Sequence, residues 1–465
     1  FRSEHPEITT NDFVIDGVVD FGVMIGFNES ISLYGNTDSL IVSNEAVDYG
    51  LGITVATTTE SEAADTYTGD IYIDKTVSFQ IFDAVYPIGV NIDSSIATSS
   101  EITVNGKFEL TATSATSYAV GVEFDSDCSG KLIVDGAFTI NSEYLSWGVY
   151  IYGQIIGDVI INGTFILNAL NEASGVVFYG EVKNDVTIDG TFSINSDDVA
   201  YGVQFSNEIV SSTQNINGVF DIRSTTSNTI GVLFVHTDTG SFQNINGTFS
   251  IDTSCSDATT IYALQFGGTI AGKTTINGYF AVNSLGYSGG VYFATNTTGE
   301  IDINGIFTLN AGEGDAQGVV FGGGVSDVTI NGAFVLYRDS SSSYSNFGVS
   351  FGSEPESIEG TPSFYSNSID WGEWITWGGT ENWNGVECAT GGETPTGDGT
   401  LALKSLYNNQ NPEAYDYSIM IIENADTDIA AFNGPYKTKL NAYVLTLPDS
   451  SIGKVWLTSI LNQTW

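Results

Sequence analysis

Nine copies of one short phrase, Ile/Val-Asn/Asp-Gly-x-Phe, limit what this chain can fold into more than any other feature. Their glycines are Gly106, Gly136, Gly163, Gly190, Gly218, Gly247, Gly278, Gly305 and Gly332, separated by 27 to 31 residues. A second phrase, Gly-Val-x-Phe with one Ile variant, accompanies them from Gly121, Gly148, Gly175, Gly202, Gly231, Gly290, Gly318 and Gly348, and Ala263-Leu264-Gln265-Phe266 fills the remaining slot. A fixed period of about 28 residues is what stacked supersecondary units produce, because each unit buries its apolar face on its neighbours while one loop is free to vary. The larger variation lies between the turn glycine and the second phrase, in segments such as Asn168 to Ser174, Asn195 to Ala200 and Asp252 to Thr260.

Within a repeat the apolar period is two. In Val186-Thr187-Ile188-Asp189-Gly190-Thr191-Phe192-Ser193-Ile194, the residues Val186, Ile188, Phe192 and Ile194 alternate with polar ones, which is a strand pattern. Asn-Gly between such strands ordinarily marks a hairpin whose tight turn needs positive φ. Here the dipeptide recurs in one register, which suggests a bend from sheet to sheet in coils stacked in parallel, with an antiparallel hairpin array as the competing arrangement. The expected fold is all-β: a right-handed parallel β-solenoid of about twelve coils with a small C-terminal β region. Its inside would carry two aromatic ladders. One is Phe108, Phe138, Phe165, Phe192, Phe220, Phe249, Phe280, Phe307 and Phe334; the other is Phe124, Ile151, Phe178, Phe205, Phe234, Phe266, Phe293, Phe321 and Phe351.

Residues 1–12 read as an N-terminal arm and 13–352 as the solenoid, with irregular coils at 13–100 and regular repeats at 101–352. In the irregular part, Val14-Ile15-Asp16-Gly17-Val18, Ile41-Val42-Ser43-Asn44-Glu45 and Ile71-Tyr72-Ile73-Asp74-Lys75 fall in turn slots, while Gly22-Val23-Met24-Ile25 and Gly89-Val90-Asn91-Ile92 resemble the second phrase. Residues 353–400 form a Trp-rich segment and Gly-rich linker in which Trp371, Trp374, Trp377 and Trp383 cluster. They would either lid the last coil or offer a glycan or subunit contact. Residues 401–465 read as a C-terminal β unit holding Lys404, Lys437, Lys439 and Lys454, a tail basic enough to meet the acidic surface of a neighbour.

Charge is one-sided: 12 Lys plus Arg stand against 56 Asp plus Glu, a formal −44. Such a surface repels nucleic acid and anionic membranes, and no apolar run is long enough for a membrane-spanning helix. A start at Phe1 rather than Met, with a surface rich in Ser, Thr, Asn and Gly, points to a leader already removed and a secreted or cell-surface protein. Asn28, Asn162, Asn246, Asn296 and Asn462 fit the glycosylation acceptor pattern, although Asn162 and Asn246 also sit in the repeated turn. Cys128, Cys255 and Cys388 are an odd number. Cys128 and Cys255 would lie several coils apart, too far for a disulfide.

No catalytic constellation is legible. The chain has three arginines, Arg2, Arg223 and Arg338, and two histidines, His5 and His236; no triad order, Cys/His metal spacing or phosphate-cradling loop accompanies them. His236 reads as a semi-buried histidine two residues past Phe234. Asp125 with Asp127, and Asp197 with Asp198, are weak calcium candidates, and no other cofactor is expected. Tyr144, Trp147 and Tyr201 fall among the variable segments. The two repeated phrases resemble those of repetitive β-solenoid and β-arch proteins of microbial envelopes, including adhesin stalks and the sheath proteins of filamentous methanogenic archaea. That resemblance, over about 13 to 352, implies a non-enzymatic, self-assembling subunit of an extracellular sheath, surface layer or fibre whose partners are copies of itself. The alternatives are a cell-surface adhesin or glycan-binding stalk and a carbohydrate-active β-helix enzyme.

Overall fold

The computed structural model describes residues 66–338 apart from 115, 227, 255–260 and 313, together with 30–35 and short strand segments between 12 and 55 and between 347 and 421. The Trp-rich segment, the lysine-bearing tail, Asn28, Asn462, Cys255 and Cys388 lie outside the residues described, apart from Trp383 in a two-residue strand. Two compact units are distinguished, one of residues 1–197 with 201–213 and one of 198–200 with 214–465. Both are all-β, and the described residues include no helix.

Each unit is a parallel β-solenoid, and about nine turns carry the spacing of about 28 residues. In the first unit sheet A contains Glu101–Val104, Lys131–Val134, Val159–Ile161 and Val186–Ile188, paired in parallel one coil to the next. Sheet B follows the turn, with Lys107–Ala112, Ala137–Ser142, Thr164–Ala169 and Thr191–Ser196. Sheet C carries the second phrase in Tyr118–Phe124, Leu145–Ile151 and Glu172–Phe178. The second unit repeats the scheme, for example Val219–Ser224 on Thr248–Thr253 and Tyr262 to Phe266 on Gly289 to Phe293. These parallel registers replace the antiparallel alternative.

The early coils keep the order of the three sheets but are out of phase with the regular repeat. Ile71–Ile73 occupies the sheet A slot as expected, but Leu40–Ser43 pairs with Ser78–Ala84 in sheet B rather than filling a turn slot. The sheet A strand of that coil is Ile31–Gly35. Two ladder members escaped the phrase pattern. Phe79 stacks on Phe108 at 5.6 Å, and Gly52-Ile53-Thr54-Val55 is a sheet C segment. The supposed variable loops are also short in the regular coils: only residues 170–171 separate Thr164–Ala169 from Glu172–Phe178, and 197–198 separate Thr191–Ser196 from Val199–Phe205.

Both ladders are inside and dry. Phe138, Phe165, Phe192, Phe220 and Phe249 are at most 1% exposed. In sheet B of the first unit the ring centroids step by 5.0, 4.9 and 4.8 Å from Phe108 through Phe138 and Phe165 to Phe192, with planes within 7°. In sheet C, Phe178 and Phe205 stack at 4.8 Å, and in the second unit Phe234, Phe266, Phe293, Phe321 and Phe351 step by 4.7 to 5.0 Å. Those steps match the strand spacing of about 4.8 Å, so backbone pairing and ring stacking are satisfied together. Each buried ring contributes roughly 1.5–3 kcal/mol by burial, and stacking adds about 0.5–1.5 kcal/mol.

The repeated glycines serve these rings. None of the nine turn glycines is in the left-handed region, where the described residues with positive φ are Gly240 and Ser211. The bend therefore lacks the positive φ that the turn of the competing hairpin would need. A Cβ on Gly136 would stand 2.6 Å from the carbonyl oxygen of Gly106 and 2.9 Å from the edge of the Phe138 ring; a Cβ on Gly121 would stand 2.5 Å from the Gly148 oxygen and 2.8 Å from the opposite edge of the same ring. Each ring is thus held between two glycines, one from the turn and one from sheet C. Ala263 tests the rule within the chain, since it stands in the sheet C glycine slot. Among the described sheet B steps of the second unit, the one beyond 5.0 Å is Phe249 to Phe280, at 5.3 Å, in that coil.

Asn at the turn also has a side-chain reason. In the second unit Asn246, Asn277, Asn304 and Asn331 each donate Nδ2 to the Oδ1 of the turn asparagine one coil earlier, beginning with Asn217, at 2.9 to 3.1 Å. Such ladders add to the stacking of identical residues in parallel strands.

One column of the second unit departs from the apolar interior. Gln214, Gln243 and Thr274 are fully buried in the sheet A slot that Leu132, Val159 and Val186 fill in the first unit. Thr274 Oγ1 donates to Gln243 Oε1 at 2.8 Å, but Gln243 Nε2 has no hydrogen-bond partner. An unsatisfied buried donor costs about 1–3 kcal/mol, whereas apolar groups of similar shape restore burial. The combined Gln214→Leu, Gln243→Leu, Thr274→Val variant is expected to gain about 1–3 kcal/mol, read as a raised denaturant midpoint. A lowered midpoint would show that the amide column is fully satisfied.

Candidate functional site

With the interior given to packing, chemistry has to come from outward positions. In sheet C the x of Gly-Val-x-Phe lies between two inward residues and faces out. In the first unit that column reads Asn91, Glu123, Tyr150 and Val177 by register. Two positions on, just past the strand ends, a parallel column reads Asp93, Asp125, Tyr152 and Tyr179, held by backbone N–H bonds from Asp125 to Ile92 O, Tyr152 to Phe124 O and Tyr179 to Ile151 O.

The two columns make one acidic and aromatic patch. Asp93 and Asp125 are exposed, whereas Glu123 is 6% and Asn91 7% exposed. Burial, and then the charges of Asp125 and Asp93, raise the Glu123 carboxyl to about 8. Burial, the Asp93 charge and a hydrogen bond to Asp93 also raise Asp125. Burial and the nearby Glu123 push the Tyr150 hydroxyl to about 12. Tyr152 and Tyr179 are half exposed and stack at 5.0 Å with planes 7° apart. Asn91 Oδ1 is buried without a hydrogen-bond partner.

A second aromatic run flanks the patch. Tyr86 and Tyr118 lie 4.6 Å apart, Tyr118 and Trp147 5.4 Å, and Trp147 stacks on Tyr150 at 4.7 Å. Trp147 Nε1 donates to Glu172 Oε1 at 3.2 Å, and Ser174 Oγ donates to the same oxygen at 3.0 Å. Trp147 and Tyr201 lie within strands rather than in loops.

The other predicted positions are dispersed. Among the described residues no group of three or more His, Cys, Asp or Glu is arranged to hold a metal ion. Asp127 Oδ1 accepts from Gln154 N at 2.9 Å, and Asp198 Oδ1 accepts from Thr226 Oγ1 at 3.3 Å. Asn162 is exposed at its turn. Asn246 uses both ends of its amide in the ladder, donating through the Nδ2 that would carry a glycan. Asn296 accepts from Gly324 N at 2.8 Å through Oδ1. His236 is exposed, not semi-buried, because it lies beyond the end of Thr229–Phe234. Cys128 is a free, buried thiol whose Sγ donates to Gly130 O, and burial raises it to about 12, which keeps it in the unreactive protonated form.

Glu123, Asn91 and Tyr150 were missed as site residues, although the pattern held the signal. The x slot is the one outward place in an otherwise inward phrase, so an acid or aromatic residue there lies on the outer face of sheet C, where Glu123 and Asn91 are nonetheless buried. Comparison with protein-family profiles, with curated proteins and with solved structures finds no match, so what the molecule can be said to be rests on its own geometry: a parallel β-solenoid.

Proposed function

We propose that this chain is a structural subunit that assembles with copies of itself into an extracellular sheath, surface layer or fibre. The observation that carries the reading is the registered stacking of identical residues, phenylalanine on phenylalanine at 4.7 to 5.0 Å and asparagine on asparagine at 2.9 to 3.1 Å. A parallel stack terminates in strand edges that another copy can continue, and its stability grows with each added coil. The resemblance to envelope β-solenoid proteins supports the same reading.

The test is electron microscopy and fibre diffraction of purified protein across concentration and ionic strength. Ordered filaments or sheets with a reflection near 4.8 Å along the stacking axis are expected. A monodisperse monomer under all these conditions would remove the proposal.

A further inference from the structure

We propose that the patch formed by Asp93, Asp125, Glu123, Asn91 and the tyrosines Tyr152 and Tyr179 is a binding site for an organic cation bearing N–H donors, an alkylammonium or guanidinium group. The charge its groups can carry is of one sign. Three carboxyl groups and the unpartnered, buried Oδ1 of Asn91 are acceptors, and the stacked tyrosines offer π-faces that attract a cation. Burial and like charge act on Glu123, and on Asp125 together with its hydrogen bond to Asp93, with no lysine or arginine among the causes. A bound ammonium or guanidinium would supply the missing donors and the missing positive charge together. The described lysines beside acids are engaged elsewhere, Lys131 with Glu101 at 3.3 Å and Lys273 with Glu300 and Asp302 at 2.6 and 2.8 Å.

The position of the patch argues against a homotypic ladder. The sheet B ladder repeats one residue type from Phe79 to Phe192, whereas these outer columns change from Asn91 to Glu123 to Tyr150, and from Asp125 to Tyr152, within adjacent coils. A contact that propagates from copy to copy would repeat; a site for a discrete ligand is local. The inference does not rest on polymer formation.

The sign of the pH dependence follows from the groups that face Glu123: Asp93 from the preceding coil, Asp125 on its own chain segment, and Tyr150 from the following coil. Its carboxyl ionises near 8, and the cation binds the ionised form. Affinity therefore rises as pH rises through that value and falls below it as the carboxyl takes up its proton.

The experiment is titration of the full soluble chain with n-butylguanidinium and n-butylammonium by calorimetry at pH 6 and pH 9, with tetramethylammonium and cellohexaose as comparison ligands. One saturable site is expected, tighter for butylguanidinium than for tetramethylammonium and at least about fivefold tighter at pH 9 than at pH 6. Asp125→Asn and Tyr152→Ala, both at exposed positions, should each weaken it about tenfold. Glu123→Gln should remove the pH dependence, and Asp197→Asn, distant in sequence, should change affinity less than twofold. Equal loss from Asp125→Asn and Asp197→Asn would mean diffuse attraction to a −44 chain and would overturn the site. So would saturable binding of cellohexaose with none of the cations. Dissociation of assembled protein by butylammonium would identify a lysine of a second copy as the natural cation; binding without dissociation would identify a free cation.

Discussion

Gly121→Ala is expected to destabilise the first unit by about 3 kcal/mol or more, toward the upper end of what overpacking costs. One methyl group has two obstacles to meet, the Gly148 carbonyl oxygen at 2.5 Å and the Phe138 ring at 2.8 Å. The first is backbone held by pairing between Tyr118–Phe124 and Leu145–Ile151, so it cannot swing aside as a side chain does. The second is a ring stacked on both sides, on Phe108 and on Phe165. Denaturant unfolding followed by near-ultraviolet circular dichroism measures the loss. Adding Phe138→Leu to Gly121→Ala should cost less than the sum of the two single changes, because removing the ring edge opens half of the clash. An unaltered midpoint for Gly121→Ala would contradict the account given of the repeated glycines.

Phe165→Ala is expected to lose about 3–5 kcal/mol, as a buried aromatic truncation does. The ring is fully buried, with neighbours at 4.9 and 4.8 Å, and rigid parallel strands leave little freedom to collapse into the void. The adjacent outward residue supplies the control. Ile166 is 42% exposed on the same strand, and Ile166→Ala should shift stability by no more than about 0.5 kcal/mol. Phe165→Ile should lie between the two, since Ile151 already interrupts the sheet C ladder between Phe124 and Phe178. A smaller loss for Phe165→Ala than for Ile166→Ala would mean that burial does not govern this strand.

Much of this architecture can be read from the amino-acid sequence, for a physical reason. Parallel stacking forces equivalent residues into contact, so geometry that is periodic in space must be periodic in the chain. Phe138, Phe165 and Phe192 are therefore recognisable as one ladder without coordinates. Two kinds of information are not periodic and so stay hidden. One is phase in the early coils, where Phe79 keeps its ring but lacks the glycine turn, and Asp74 instead closes the bend by accepting from Thr76 N and Oγ1 at 2.9 and 2.7 Å. The other is the meeting of residues from different coils on the outside. Asp125 is visible as an acid, but its neighbours Asp93, from the coil before, and Tyr152, from the coil after, are set by register alone.

The role of the glycine is likewise not legible in the dipeptide. Asn-Gly suggests a special φ when considered alone, yet in a stack the nearest atoms belong to another coil. The decisive constraint was the distance from Gly136 to the Gly106 oxygen and the Phe138 ring. Local sequence carries no such distance.

Because each ring and the two hydrogens that make room for it recur once per turn, a turn is a self-contained module. Within either unit, tandem duplication or loss of one whole repeat, 27 to 31 residues, joins like cross-section to like. Genes for such chains are thereby free to drift in copy number while the cross-section that selection acts upon stays the same, whereas an insertion of half that length would bring phenylalanine against the wrong wall.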